Sequence, residues 1–158
     1  MRRVSPVLLL LLSACIAPPG SSSSHPDPMT SEVITAIEGM YDDLSSRRWE
    51  ALQAHFLAGA TLIFSDPQAP KRITPAEFIE IVKKNSEGKE VFEERMTHAW
   101  IRVHENLAFV WSDFAARIGT AIEFKTWSGV DAFTLIKVNG RWMISQIAVS
   151  RDPEPEKD

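Results

Sequence analysis

Residues 129–151 carry the clearest alternation in the chain: two runs of period-two apolar positions flank Asn139-Gly140. Asn-Gly between such runs predicts a β-hairpin with a two-residue type I′ turn. That register pairs Val138 with Arg141, Leu135 with Ile144 and Phe133 with Gln146. One face then holds Asp131, Phe133, Leu135, Lys137, Trp142, Ile144, Gln146 and Ala148, and the other runs from Ala132 to Val149 in the alternate positions. Both faces are largely apolar, so each needs a cover. Asp131 and Gln146 become near-diagonal polar neighbours at the end away from the turn.

Upstream, Val33, Ile34, Ile37, Met40, Tyr41 and Leu44 recur at helical spacing, capped by Thr30 or Ser31 with Glu32 in the first turn. A second helix is predicted over about 48–58, with Trp49, Leu52 and Phe56 inward and Gly59 as a left-handed cap. A short strand follows over 60–65, then a loop over 68–73. Thr74-Pro75-Ala76-Glu77 is a complete helix start, with an N-cap threonine, proline at N1 and a capping-box glutamate. Phe78, Ile81 and Val82 form its expected buried stripe. Residues 93–104 and 107–119 read as a hairpin about Glu105-Asn106, pairing Val103 with Ala108, Ile101 with Val110 and Ala99 with Ser112. Thr97 and Phe114 share that face. The opposite face holds Met96, His98, Trp100, Arg102, Phe109, Trp111 and Asp113. Three helices followed by a long meander predict an α+β fold, with the helices packed on one face of a curved, mainly antiparallel sheet.

The N-terminus changes the picture. Arg2 and Arg3 precede a short apolar run, Val7 to Leu12, too short to span a bilayer. Residues 1–14 therefore read as an export signal. Leu12-Ser13-Ala14-Cys15 resembles a bacterial lipobox, which implies lipidation of Cys15 after cleavage. The alternative is ordinary cleavage after Cys15-Ile16-Ala17. Cys15 is the single cysteine of the 158 residues, so no internal disulfide forms and the fold rests on packing. The Pro- and Ser-rich residues 15–30 read as a tether, 31–151 as one domain, and 152–158 as a charged tail. The implied location is the cell envelope: lipid-anchored, with the periplasmic side of an outer membrane favoured, or else secreted or periplasmic without an anchor.

Composition narrows the partners. The net charge of −4 becomes −6 once Arg2 and Arg3 leave with the leader, which gives no electrostatic footprint for nucleic acid. No HExxH, CxxC, P-loop, Rossmann or G-x-S-x-G signature occurs, and four histidines at 25, 55, 98 and 104 make no ligand set. No metal or cofactor is expected.

The helix, helix, strand, helix, hairpin, hairpin order resembles the NTF2-like superfamily, and within it the SnoaL-like and DUF4440-like proteins. The resemblance is carried by Trp49-Glu50-Ala51-Leu52 with Phe56, Gly59-Ala60-Thr61, Ala108-Phe109-Val110-Trp111, Gly129 to Leu135 and Gly140 to Ile144. It implies a cone whose helices and concave sheet enclose an apolar pocket, and a convex face that dimerises. The general-base aspartate of the ketosteroid isomerases lies in an Ala-Thr-x-x-Asp-Pro run. Here Ala60-Thr61 precedes Asp66-Pro67 two residues late, and the phenol position falls near Met40 instead of Tyr41. A shared fold does not transfer chemistry.

Candidate pocket residues are Tyr41, Phe64, Phe114, Asp131, Phe133, Trp142 and Gln146. Asp66 and Asp131 are the candidate general acid/base groups. The structural alternatives are a turn-shaping Asp66, and an Asp131 bonded to backbone or arginine. His98, Trp100, Phe109, Trp111 and Asp113 form the candidate homodimer face. Three functions follow as expectations: a binding module for a small apolar or amphipathic molecule; an isomerase, hydratase or cyclase; or a non-catalytic dimerising accessory domain. A sealed cone filled by Phe133, Trp142 and Phe114 would remove both ligand readings and leave the third.

Overall fold

The computed structural model describes residues 27–66 and 68–153; the leader, Cys15 and most of the tether lie outside the described residues. In chain order it contains α1 (Pro28–Ser45), α2 (Trp49–Gln53), β1 (Phe56–Phe64), β2 (Lys71–Ile73), α3 (Pro75–Ser86), β3 (Val91–His104), β4 (Leu107–Gly119), β5 (Phe124–Val138) and β6 (Arg141–Arg151). The strands form one sheet in the order β2-β1-β6-β5-β4-β3, antiparallel throughout except between β1 and β6. The fold is the expected α+β cone. Its core lies between α1 and the concave face and includes Val33, Ile37, Leu44, Leu52, Leu62, Val110, Phe133, Leu135 and Ile144.

Helix α1 starts two residues before Thr30, at Pro28, whose fixed φ suits the first helical position; Asp27 is the N-cap residue. Its apolar stripe buries Val33, Ile37, Met40, Tyr41 and Leu44. The predicted second helix is cut to one turn, because the sheet claims its C-terminal half. The Ile144 amide donates to the His55 carbonyl at 2.8 Å, and Phe56 pairs with Ile144. Gly59 is thus inside β1, where its φ of +81° accompanies a register shift between Phe56 and Thr61. Residues expected as loop include β2, paired with β1 through Ile73 and Leu62. The Thr74–Glu77 capping box is present in α3. That helix buries Pro75, Ile79 and Ser86, leaving Phe78 and Val82 half-buried and Ile81 39% exposed.

Both predicted hairpins form. Asn139 and Gly140 have φ of 51° and 79°, the two positive values a type I′ turn requires. Leu135 pairs with Ile144, but Phe133 pairs with Ile147 instead of Gln146. Ser145 is an extra residue in β6 whose hydroxyl donates to the Thr134 carbonyl at 3.0 Å. This bulge exchanges the faces beyond it. Ile147 and Val149 point into the cone, and Gln146 and Ala148 join the convex face. In β3, Thr97 is a second extra residue and donates to the Asp113 carbonyl at 3.1 Å. It puts Met96 level with Phe114 on the concave side, while His98 still faces Asp113 and Trp100 faces Trp111.

The bulges curl the sheet and Gly129 lets the curl close. A Cβ there would collide with the Ser150 carbonyl and lie 2.9 Å from Phe114 Cε1. Backbone on the neighbouring strand cannot give way as a side-chain tip can. Gly129→Ala is therefore expected to destabilise the fold by about 1–3 kcal/mol, the usual range for overpacking, measured as a lowered urea midpoint at unchanged slope. An unchanged midpoint would show that the strand crossing is looser than this geometry.

Candidate functional site

One row of residues crosses the concave face: Val149 on β6, Asp131 on β5, Ser112 on β4 and Ala99 on β3, with Phe64 of β1 beyond Val149. The α1 stripe lays Tyr41 over this row. Its hydroxyl donates to Asp131 Oδ2 at 2.6 Å, a buried bond between residues 90 apart in sequence. The Tyr41 ring meets Phe133 edge-on, with centroids 6.1 Å apart. Asp131 is 4% exposed and Ser112 fully buried. Asp131 Oδ1 and Ser112 Oγ nevertheless have no hydrogen-bond partner among the described residues. Unmade bonds on buried polar atoms are costly, so two in one row mark this part of the interior as special.

Glu94 approaches from β3. It pairs with Ala116, which in turn pairs with Trp127, so it shares the concave side. Its backbone is held to the end of α1: Ser45 Oγ donates to the Glu94 carbonyl and accepts from the Glu94 amide, each at 2.9 Å. Burial pushes the Glu94 carboxyl up to about 8, helped by the charge of Asp131 and opposed by Arg151. Burial likewise raises Asp131 to about 7, against the lowering effects of the Tyr41 bond and Arg151. The Tyr41 phenol is driven far upward by burial and by Asp131, and stays a donor. Burial thus pushes both carboxyls toward the protonated form, Asp131 from full burial and Glu94 from a half-buried position beside it. A carboxyl half-protonated near pH 7 can act in either direction as acid or base.

The other sequence candidates scatter. Asp66 is exposed, and its Oδ1 accepts from the amides of Gln68 at 2.8 Å and Ala69 at 3.3 Å. That is a turn-shaping role outside the cone. Gln146 is on the convex face, removed from the pocket by the Ser145 bulge. Trp142 is buried at the narrow end, its indole donating to Glu32 at 3.2 Å under α1. Phe64 packs on Phe78 with centroids 6.5 Å apart, and Phe114 and Phe133 are buried beside the row. On the convex face Trp100 and Trp111 are 48% and 49% exposed, Trp100 meets Phe109 edge-on, and His98 lies 3.7 Å from Asp113. His55 is half-buried and bonds Asp43 at 2.7 Å.

Two clefts, of about 550 and 410 Å³, flank α3 on the outside of the cone. Among the described residues no cluster of three or more His, Cys, Asp or Glu could hold a metal, and no helix is long and apolar enough to cross a membrane. Sequence reasoning missed Glu94 and Ser112. Ser112 was detectable as the one hydroxyl in the inward series Ala108, Val110, Ser112, Phe114. Glu94 was not, because the Thr97 bulge hides its parity.

The family model of the SnoaL-like domain matches residues 33–152. No curated protein matches the chain in sequence. Among solved structures, a protein of unknown function from Mycobacterium tuberculosis is similar at 17% identity and TM-score 0.67, over 78% of this chain and 72% of that one. A candidate scytalone dehydratase from Novosphingobium aromaticivorans is similar at 16% and 0.68, over 79% and 85%. A candidate dehydratase of the NTF2-like family from Streptomyces avermitilis is similar at 14% and 0.65, over 81% and 100%. These likenesses are of fold.

The raised carboxyls make stability fall with pH. Between about pH 4 and 8 these two groups keep protons in the native chain that ordinary unfolded carboxyls have lost, so the unfolded state binds fewer protons and their contribution to the unfolding free energy declines across that window, levelling off above it. Each unit of difference is worth about 1.4 kcal/mol. Asp131→Asn is expected to flatten this decline and to gain on the wild type as pH rises. Tyr41→Phe removes an interaction that lowers the Asp131 pKa, and should extend the decline to higher pH. Urea unfolding from pH 4 to 9 measures both; identical profiles for all three proteins would refute the buried titration.

Proposed function

The chain belongs to the SnoaL-like domain family, and from that premise we propose that its cone binds a small, largely apolar molecule bearing one hydroxyl or carbonyl group. The observation that carries this reading is the unpartnered buried Asp131 Oδ1, with Ser112 Oγ, a neighbour of the Tyr41 hydroxyl, beside it. A ligand oxygen can bond both once Phe114 and Phe133, which fill the cone in this structure, turn aside to admit the apolar body. Tyr41 holds Asp131 by its other oxygen and fixes the direction of Oδ1. A second reading, favoured by the raised Asp131 and Glu94 pKa values, is proton transfer within that complex, of the isomerase, hydratase or cyclase kind. Asp131 is then the acid/base group and Tyr41 its positioning residue.

Export and lipidation at Cys15 are part of the proposal, supported by Arg2-Arg3, the apolar run and the lipobox-like residues 12–15. One experiment addresses ligand and anchor together. Mass spectrometry of protein gently purified from its native membrane should show diacylglyceryl on Cys15 and a co-purifying small molecule. The Asp131→Leu and Ser112→Val variants should lose that molecule and keep the lipid. An unmodified Cys15, or a mature N-terminus at Pro18, rejects the anchor. A molecule retained at wild-type occupancy by both variants rejects the cone site.

The convex face supports a homodimer as a further element. Trp100, Trp111, Phe109 and Leu107 are all 39% exposed or more on one side of the sheet, a cluster that water covers at a cost. His98, Arg102 and Asp113 on the same face give it both signs of charge, which a two-fold related copy can pair. Sedimentation at micromolar concentration should show a dimer that Trp111→Lys converts to monomer. A monomeric wild type rejects this interface.

A further inference from the structure

The larger cleft lies outside the cone, between the C-terminal turn of α3, the α3–β3 connection and the turn joining α1 to α2. Its floor is an unusual residue. Arg47 has φ of +56°, a left-handed conformation that a long side chain adopts only when its surroundings hold it there. They do so at two points: Nη2 donates to the Lys89 carbonyl at 2.6 Å, and the guanidinium lies 5.6 Å from the centre of the Phe92 ring. Thus pinned, Arg47 keeps its Nε–H buried with no acceptor among the described residues.

The rest of the lining fits that unmet donor. Trp49 stands half-buried in the lining and packs on Phe92, with centroids 6.5 Å apart. Lys83, Lys84 and Lys89 surround the opening, against Glu80 and Glu87. Lys83 is engaged by Glu80 at 2.8 Å, whereas Arg47, Lys84 and Lys89 enter no ion pair among the described residues. A chain with a net charge of −4 therefore concentrates uncompensated cations around a cleft of about 550 Å³ that has one aromatic wall.

We propose that this cleft binds a small organic anion, its carboxylate or phosphate held by Arg47, Lys84 and Lys89 and its flat body laid against Trp49. A preorganised guanidinium loses little freedom on meeting an anion, and its charge draws the acid group to this end of the cleft. The aromatic wall selects a ring-bearing anion over a bare one. The site is separate from the cone and stands whether or not Asp131 has a ligand.

Titration of the ¹⁵N-labelled full chain, followed at the Trp49 indole resonance (identified by its loss in Trp49→Phe), tests the proposal. Phenyl phosphate or benzoate should shift that resonance saturably with a Kd on the order of 0.1–1 mM. The tighter of the two assigns the acid group as phosphate or carboxylate. Inorganic phosphate should bind about tenfold more weakly, lacking the ring. Arg47→Gln should weaken the preferred probe about tenfold. Lys84→Gln, at an exposed helix position, should weaken it severalfold at an unchanged melting temperature, which separates binding from folding. No saturable shift with either probe, equal affinity for inorganic phosphate, or unaltered affinity in both variants would overturn the assignment.

Discussion

The structure depends on one bond made out of water. Tyr41 can reach Asp131 Oδ2 at 2.6 Å only if α1 lies across the concave face with its stripe turned inward, and only if the sheet curls far enough to bring β5 beneath that helix. The bulges at Thr97 and Ser145 and the bare Cα of Gly129 supply the curl. The bond is buried, with the Phe133 ring edge-on to Tyr41, which strengthens it and also raises the cost of any charge left beside it. Apolar packing holds the cone together, and the Tyr41–Asp131 pair fixes how helix and sheet are placed within it.

Much of this was legible in the chain. Asn139-Gly140, the Thr74–Glu77 capping box and the α1 stripe are local signals, and local physics decides them. The β3–β4 register survived from Asn106 as far as His98 and Asp113 because a short turn counts residues reliably. What failed is what parity cannot carry. A single added residue at Ser145 moved Gln146 out of the cone and moved Ile147 and Val149 in, and one at Thr97 did the same to Met96. Neither serine nor threonine in a strand announces a bulge. The second helix failed for a different reason: residues 54–58 can satisfy a helical pattern, but parallel pairing with β6 gives Phe56 a buried place that an isolated turn of helix lacks.

The candidate site divides along the same line. Tyr41, Asp131 and Ser112 were reachable, since each sits at an inward position of a regular element. Their meeting was not, because it joins residues 90 positions apart through the tilt of a helix over a sheet. Asp66 shows the reverse case. An Asp-Pro run after a strand suggested a base, yet the carboxylate is occupied by the amides of Gln68 and Ala69, the ordinary use of aspartate at a turn.

Why a carboxyl stands under Tyr41 is the sharper question. An asparagine would accept the same hydrogen bond through its amide oxygen without the cost of desolvating a charge, whereas leucine would leave the buried Tyr41 hydroxyl without an acceptor. Stability alone favours asparagine. A carboxyl differs from both in holding a proton whose occupancy changes near neutrality, where burial has moved Asp131 and where Glu94 adds a second acid whose charge opposes its ionisation. Arg151, on the same concave side and stacked 4.9 Å from the Trp127 ring, restrains both shifts and keeps the pair within reach of physiological pH. An aspartate at this depth therefore costs the fold more than an asparagine would, and it brings to the Tyr41 bond a proton that asparagine does not have.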